Sequence, residues 1–482
     1  MTQRDSGTIA IGDIRHVHLI AICGVAMAAL AGMLRQRGYA VTGSDENVYP
    51  PMSTLLQRWG IPIRAGFRAE NLADRPDAVV VGNKVSRDNP EVQALLASAI
   101  PYLSLPQALH DFFLAGKRPS VIAGTHGKTT STAMLAWVLE AAGRDPSMMV
   151  GGEAKNFAGN FKLGGGADFV IEGDEYDTAF FDKGPKFLHY APQALILTAV
   201  EFDHADIYRD LDHVKSAFRK LIDILPAGAP LIVAADFPHA IEVAQRDGFQ
   251  PETFGVGDSA QWRVTNLHAA NGESVFDITH DGAIECTATL RVPGAINARN
   301  ALGVYVLARR LGLRSDEILP GLRTFAGVAR RQEVVGEFGG ATLIDDFAHH
   351  PTAVAGTLAA LRQHYPGRRL WAVFEPRSNT SRRKMFQREY VEAFTAADRV
   401  IIGGVFQKQT DAVGAEELFS PEQLARDLNA RGVEARAFGE IDVIVAALVR
   451  NVRPGDVIVL MSNGGFGGLR EKLVAALPAR RA

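Results

Sequence analysis

One octapeptide constrains the fold of this chain more than any other part of it: Ala123-Gly124-Thr125-His126-Gly127-Lys128-Thr129-Thr130. An apolar run, "SVIAG", leads into it, and a helical pattern, "TTSTAMLAWVLEAAG", leads away. Strand, loop and helix in that order place backbone N–H groups and a helix dipole where they attract phosphate. The usual spacing G-x-x-x-x-G-K-[ST] wants glycine at position 122, where Ile122 stands. The loop is therefore short, and a histidine sits inside it. Lys128 supplies a mobile cation for the β- and γ-phosphates, and the Thr129 hydroxyl is placed to ligate Mg2+.

A phosphate loop needs a parallel sheet behind it, and the rest of the chain supplies three. At 482 residues the chain has room for roughly three domains. Strand and helix alternate at "HVHLIAICG", "AMAALAGMLRQRG", "YAVTGSD" and "AVVVGNKV", with an Asn-Pro helix start in "NPEVQALLASAI". This predicts a Rossmann-like domain over residues 1–116, closed by a linker at "GKRPS". Strands at "SVIAGT", "DFVIEGDE", "ALILTAV" and "PLIVAAD" predict a central domain over 117–328. Within it, residues 261–292 lose the helical period and predict added antiparallel hairpins. Strands at "ATLIDDF", "RRLWAVFEP", "DRVIIGG" and "DVIVLMSNGG" predict a third, Rossmann-like domain over 329–482. The fold class expected is α/β in three domains.

The bulk numbers exclude several classes. A net charge of −3 gives no basic field for nucleic acid or an anionic membrane. No run approaches the ~20 apolar residues of a membrane span, and "MTQRDSGTIAIGDIRH" has no signal-peptide core. Two cysteines, Cys23 and Cys286, make no disulfide framework and fit a cytoplasmic protein.

Several strand ends carry chemistry. "IEGDEYDTAFFD" places Glu172, Asp174, Glu175 and Asp177 at the end of an apolar strand, hard oxygen donors suited to Mg2+. "EFDHADIY" repeats the arrangement with Asp203, His204 and Asp206. "GAINARNAL" sets Asn297 and Asn300 three apart on one helix face, with amides suited to a ribose or base edge; a helix cap at Asn297 is the alternative. Arg330 and Arg331 lie at the second domain boundary, ahead of Asp345, Asp346, His349 and His350. An arginine from a second domain suits a transferring phosphoryl group. Near the start, Gly24 and Asp45 resemble a dinucleotide fingerprint, but "ICGVAM" has only one of its glycines.

Taken in order, "GTHGKTT", "EGDEYD", "EFDHADIY", "NARNA", "RR" and "DDFAHHPT" resemble the Mur ligase superfamily across essentially the whole chain. The resemblance implies an ATP-dependent amide-forming enzyme of cell-wall assembly: a UDP-sugar domain, a central ATPase and a C-terminal peptide-binding domain. It implies that Gly124, Thr125, His126, Gly127, Lys128, Thr129, Thr130, Asn297, Asn300, Arg331 and His349 bind ATP. Thr129, Glu172 and His204 would hold Mg2+, and Lys128, Glu172, His204, Arg331 and Asp346 would act in catalysis. UDP-sugar contacts fall at Gly24, Met27, Ser44 and Asp45. Several relatives carry a carbamylated lysine about fifteen residues after the second-metal histidine; Arg219 stands there, which argues against a carbamate.

Two stretches, "GSDENVYPPMSTLLQRWG" and "VFEPRSNT", resemble the branch that joins UDP-N-acetylmuramate to the tripeptide L-Ala-γ-D-Glu-meso-diaminopimelate in wall recycling. Peptide contacts are then expected at Arg377, Ser378, Asn379 and Thr380, with Arg377 as a bidentate carboxylate contact. The branch that adds L-alanine is the alternative. A nicotinamide oxidoreductase and a non-catalytic ATP module are the rivals of other classes. The missing glycines near Cys23–Met27 count against the first, and the acidic cluster, His204 and arginine pair against the second.

Overall fold

The computed structural model describes residues 11–49, 52–270, 272–406 and 414–477. Pro50 and Pro51 of the "NVYPPMST" stretch lie outside them. Among the described residues three large sheets follow one another, each built on apolar runs too continuous for a surface strand, with a two-stranded ribbon, Asp177–Ala179 and Asp182–Pro185, besides.

The first sheet has five parallel strands in the spatial order Ile63–Ala65, Ala40–Asp45, His16–Ile20, Ala78–Val81, Tyr102–Ser104. The order reverses between His16–Ile20 and Ala78–Val81, which opens a crevice beyond the carboxyl ends of those two strands. Gly24 is the N-cap of the helix Val25–Gln36 at that end. The stretch read as a linker does not stay one: Arg118 already begins the strand Arg118–Ala123.

That strand sits inside a ten-stranded sheet. Ser147–Ala154, Asp168–Gly173, Arg118–Ala123, Ala194–Leu197, Leu231–Ala234 and Glu252–Gly255 run parallel, and Trp262–Ala270 continues them. Glu273–His280 and Ala283–Leu290 then add the antiparallel hairpins expected over 261–292. The helix Lys128–Ala141 rises from the strand Arg118–Ala123.

The third sheet has six strands, ordered Glu333–Phe338, Ala341–Asp346, Val457–Met461, Leu370–Phe374, Arg399–Gly403, Glu434–Phe438; all but the first are parallel. The fold class is thus as expected.

Packing joins the first two sheets more tightly than the third. One continuous apolar core runs from Ile14 to Val328. At its seam, a Cβ on Gly32 of the first helix would lie 2.7 Å from the Phe161 ring and 2.9 Å from Trp59. Only glycine lets the helix approach that closely, and an added methyl costs about 1–3 kcal/mol if the rings cannot yield. The C-terminal sheet is covered by two clusters of its own, one around Phe374 and one around Leu460. It meets the central domain in two ways: the helix Pro351–His364 packs closely on the helix Ala295–Arg310 at Gly356 and Ile296, and polar contacts reach the phosphate loop. Among the described residues, no helix is long and apolar enough to cross a membrane.

Candidate active site

The phosphate loop turns on two glycines with positive φ, Gly124 at 129° and Gly127 at 82°. A Cβ on Gly124 would sit 2.7 Å from the backbone N and O of Ala199, and one on Gly127 would meet Asn300 Oδ1 at 2.8 Å. Conformation and space therefore both demand glycine at these points. The Thr198 hydroxyl donates to Ala123 O at 3.1 Å and also to the His126 carbonyl, closing the loop on the neighbouring strand end. Thr125 does the same further out: its hydroxyl accepts from Glu201 N–H at 2.9 Å and donates to Glu201 O at 3.2 Å. Thr130 is buried in the first turn of the helix.

The expected cation and metal residues meet at the helix start. Lys128 Nζ donates to Gly124 O at 2.7 Å and to Glu175 Oε2 at 2.8 Å. The Thr129 hydroxyl donates to Glu172 Oε1 at 2.9 Å, and Gly151 N–H donates to Glu172 Oε2 at 2.8 Å. His204 Nε2 lies 3.3 Å from Glu175 Oε1, on a turn where His204 itself has φ of 54°. Glu175 is thus the hinge of the arrangement, 3% exposed and touched by both cations. Burial pushes its carboxyl toward the neutral form, but Lys128 and His204 hold its pKa down at about 2. Burial likewise opposes charge on His204, yet Glu175 and Asp203 lift it to about 9. For Lys128, Glu175, Asp174 and Glu172 outweigh burial and raise the ammonium above its ordinary value. Glu172 goes the other way, raised by burial and by Asp174. Its negative charge is under-compensated here, and a hydroxyl beside a carboxylate is a hard-oxygen donor pair. That pair fits a divalent cation. His204 would first have to give up one proton, which leaves one ring nitrogen for an ion and the other for Glu175.

The C-terminal domain reaches the same place. Arg331 Nη2 donates to Thr129 Oγ1 at 3.2 Å, and its guanidinium stacks 4.6 Å from the Phe347 ring. Asp346 orders the turn behind it: Oδ2 accepts from Gln332 N–H and Oδ1 from Ala348 N–H, both at 2.7 Å. Burial raises the Asp346 carboxyl, and Arg331 pulls it back. Arg330 instead faces its own domain, donating to Ser462 O at 2.7 Å and Gly464 O at 2.6 Å.

Residues 201–205 form a rail between the two domains. The Thr352 hydroxyl donates to Glu201 Oε1 at 2.9 Å. His349 Nε2 stands 3.7 Å from Asp203 Oδ2, and Ala205 N–H donates to Thr380 Oγ1 at 3.2 Å. Three alternate positions thus grip the C-terminal domain, while His204 between them turns to Glu175. His126 of the loop and His350 pack at 4.6 Å between ring centroids beside Glu201. Burial, reinforced by His126, pulls His350 down to about 3, so it stays neutral.

Other expected residues are spread more widely. Asn297 is not the helix cap, because Gly294 is; its amide donates to Pro293 O at 2.8 Å and Gln332 Oε1 at 3.3 Å. Asn300 touches the loop at Gly127, and its buried Nδ2 has no hydrogen-bond partner among the described residues. In the first domain, Asp45 accepts from Cys23 N–H and Asn47 N–H at 2.9 Å each, holding the turn before Gly24. Ser44 Oγ is buried at the same strand end with no hydrogen-bond partner among the described residues, and Met27 lies in the core beneath. In the C-terminal domain, the Arg377 guanidinium stacks 3.8 Å over Phe406 and pairs with Glu375 at 3.3 Å. The Ser378 hydroxyl bonds Ser381 at 2.9 Å, and Asn379 Oδ1 accepts from Arg382 at 3.1 Å. Arg382 is buried rather than on a solvated face; Lys384 is exposed. Arg219 pairs with Glu242 at 2.8 Å on the surface.

Comparison with known proteins agrees in the same order along the chain. Residues 16–117 match the Mur ligase family catalytic domain, 122–308 the Mur ligase middle domain, and 330–464 the Mur ligase glutamate ligase domain. The UDP-N-acetylmuramate–L-alanyl-γ-D-glutamyl-meso-2,6-diaminoheptandioate ligase of Escherichia coli (strain K12) is 40% identical over 462 residues, 96% of this chain and 98% of that protein. The chain is a Mur ligase. As a member of that family it is an ATP-dependent amide ligase of peptidoglycan assembly. A UDP-N-acetylmuramate–L-alanine ligase of Burkholderia cenocepacia (strain J2315) is 34% identical to this Mur ligase over 96% of the chain and 98% of that protein. The crystal structure of a murein peptide ligase from Psychrobacter arcticus superposes with a TM-score of 0.71 at 34% identity, covering 97% of this chain and 100% of that one.

Glu175 was named only as one Mg2+ donor among four, and Glu201 and Gln332 were not singled out as site residues by sequence reasoning. Glu175 and Glu201 stood within quoted motifs, one carboxylate among several. Gln332 carried no signal beyond its place after the arginine pair.

Proposed function

We propose that this Mur ligase joins L-alanyl-γ-D-glutamyl-meso-diaminopimelate to UDP-N-acetylmuramate, using ATP and Mg2+, with domain seams near residues 116 and 328. The observation that carries the choice of amine is the identity contrast: 40% to a tripeptide ligase against 34% to an alanine ligase, at equal coverage.

The muramoyl carboxylate is a poor acyl donor, so the reaction runs through an acyl phosphate, which the peptide amine attacks to give amide and phosphate. All partners are anionic, and the work of the side chains is to neutralise charge and orient groups. Lys128, the first residue of the helix that follows the loop, would meet the β- and γ-phosphates. Arg331 enters from the C-terminal domain beside Thr129, placing a fixed cation next to the transferring group. Asp346 holds the turn that carries Arg331. Thr129 and Glu172 would hold Mg2+, and His204 a second ion, which when bound neutralises phosphate charge. Asn297 and Asn300 face the nucleotide from the helix Ala295–Arg310, and His349 from the strand end behind Asp346. The UDP-sugar lies at the first-sheet crevice by Gly24, Met27, Ser44 and Asp45. Arg377 to Thr380, at the end of the strand Leu370–Phe374, read the peptide carboxylates.

The test is phosphate release with UDP-N-acetylmuramate against L-alanine, dipeptide, tripeptide and tetrapeptide. The tripeptide is expected to give the highest kcat/KM. A higher value for L-alanine would assign the chain to the alanine-adding branch.

A further inference from the structure

We infer that Glu175 is a positioning residue that parks Lys128 when no nucleotide is present and releases it to phosphate while keeping hold of His204. The inference rests on the reading of Lys128 as the phosphate-loop cation. Four observations support it.

Both Glu175 oxygens face Lys128, at 2.8 and 3.2 Å, so the carboxylate straddles the ammonium. The other Lys128 contact is Gly124 O at 2.7 Å, a carbonyl of the loop itself. The lysine is therefore folded back over its own loop, and phosphate binding has to break the Glu175 contact.

Oε1 also lies 3.3 Å from His204 Nε2, so one carboxylate joins the loop cation to the strand-end imidazole. When Lys128 leaves, that second contact keeps Glu175 from becoming an unpaired buried charge, a state proteins avoid at a cost of several kcal/mol.

The carboxylate cannot drift, because the Tyr208 hydroxyl donates to the Glu175 carbonyl and fixes the backbone beneath it. Tyr208 is itself buried, at 4% exposure.

Finally, the charge has no structural duty elsewhere. Glu172, three residues earlier, takes Thr129 and Gly151, and Asp174 takes Lys186 at 3.3 Å. Each of these carboxylates thus has a separate partner, and Glu175 takes Lys128 together with His204.

A parked lysine makes the nucleotide-free enzyme only fractionally competent, and that fraction scales the apparent affinity. Removing the parking charge should therefore tighten nucleotide binding while disordering His204 and slowing turnover. These two effects run in opposite directions, which separates parking from a general loss of structure.

The experiment uses the full chain with Mg2+. Calorimetric binding of a non-hydrolysable ATP analogue is compared with kcat for phosphate release, and a thermal melt monitors folding. Glu175→Gln is expected to bind the analogue about threefold to tenfold more tightly and to lose at least about tenfold in kcat. Glu175→Asp keeps the charge but withdraws it by one methylene, and is expected between the parent and the amide; it carries the test alone if the amide fails to fold. Equal or weaker analogue binding in the variants, or kcat within twofold of the parent, overturns the inference. A parent that does not bind the analogue at all refutes the phosphate-loop reading instead.

Discussion

Asp346 is where the seam between the central and C-terminal domains can be tested most sharply. Its two carboxylate oxygens serve different donors, Gln332 N–H on Oδ2 and Ala348 N–H on Oδ1, each at 2.7 Å. An asparagine has one acceptor oxygen. Asp346→Asn therefore preserves shape but leaves one backbone N–H facing an amide NH2. A buried donor without a partner costs about 1–3 kcal/mol. Arg331 adds to this, because the Asp346 charge offsets part of the burial cost of its half-buried guanidinium. The two together are expected to cost about 2–4 kcal/mol, most of it from the unpaired amide, with the weakened attraction for Arg331 adding the rest. The melting midpoint of the C-terminal domain should fall by at least about 4 °C. Catalysis should suffer separately. Arg331 reaches Thr129 from the turn that Asp346 orders, and misplacing one preorganised charge costs on the order of 10²-fold in kcat. A thermal melt and phosphate release at saturating substrates measure both. Asp345→Asn is the control, since Asp345 pairs with Arg330 and Arg470 inside its own domain and does not meet Arg331. If Asp346→Asn melts within 1 °C of the parent and keeps kcat within twofold (thresholds of about the measurement error), the two-donor argument is wrong.

Further outcomes follow from the same geometry. Lys128→Ala should lose about 10²–10³ in kcat, and activity within tenfold of the parent would remove Lys128 from the phosphate loop. Glu172→Gln should raise the Mg2+ concentration for half activity; His204→Ala should do the same if it is a ligand, but only lower the melting temperature if it is structural. Gly124→Ala forces a side chain into φ of 129° with the Ala199 backbone 2.7 Å from its Cβ; it should abolish analogue binding, and binding at parental affinity would contradict the loop geometry. Arg377→Ala should raise KM for the tripeptide more than for ATP, measured in the same phosphate-release assay.

The fold could be read from the chain because its cues are local. "SVIAG" running into "GTHGKTT" demands a strand, a glycine turn and a helix whatever surrounds it, and the period change over 261–292 marks hairpins for the same reason. Elements whose stability comes from neighbours were not readable. Ser147–Ala154 and Gly159–Lys162 are glycine-rich and owe their pairing to the sheet edge and to the first helix packing at Gly32. The ribbon Asp177–Ala179 with Asp182–Pro185 is held by Phe180 and Phe181 against the first domain, a contact between residues far apart in sequence.

The candidate site divides along the same line. Strand-end position and residue type were enough to nominate Lys128, Thr129, Glu172 and His204, because a parallel sheet presents its carboxyl ends to one crevice. Which carboxylate meets which cation depended on packing. Glu172, Asp174 and Glu175 are equivalent as letters, and only the burial of Glu175 between Lys128 and His204 separates them. The arginine pair shows this best. Arg330 and Arg331 are adjacent and chemically identical, yet positive φ at Arg330 and at Gln332 turns the backbone so that one guanidinium ties down its own domain and the other crosses to Thr129. Composition and spacing carry the chemistry a residue is capable of; a turn whose dihedrals are set by Asp346, more than ten residues away, settles which of the two uses it.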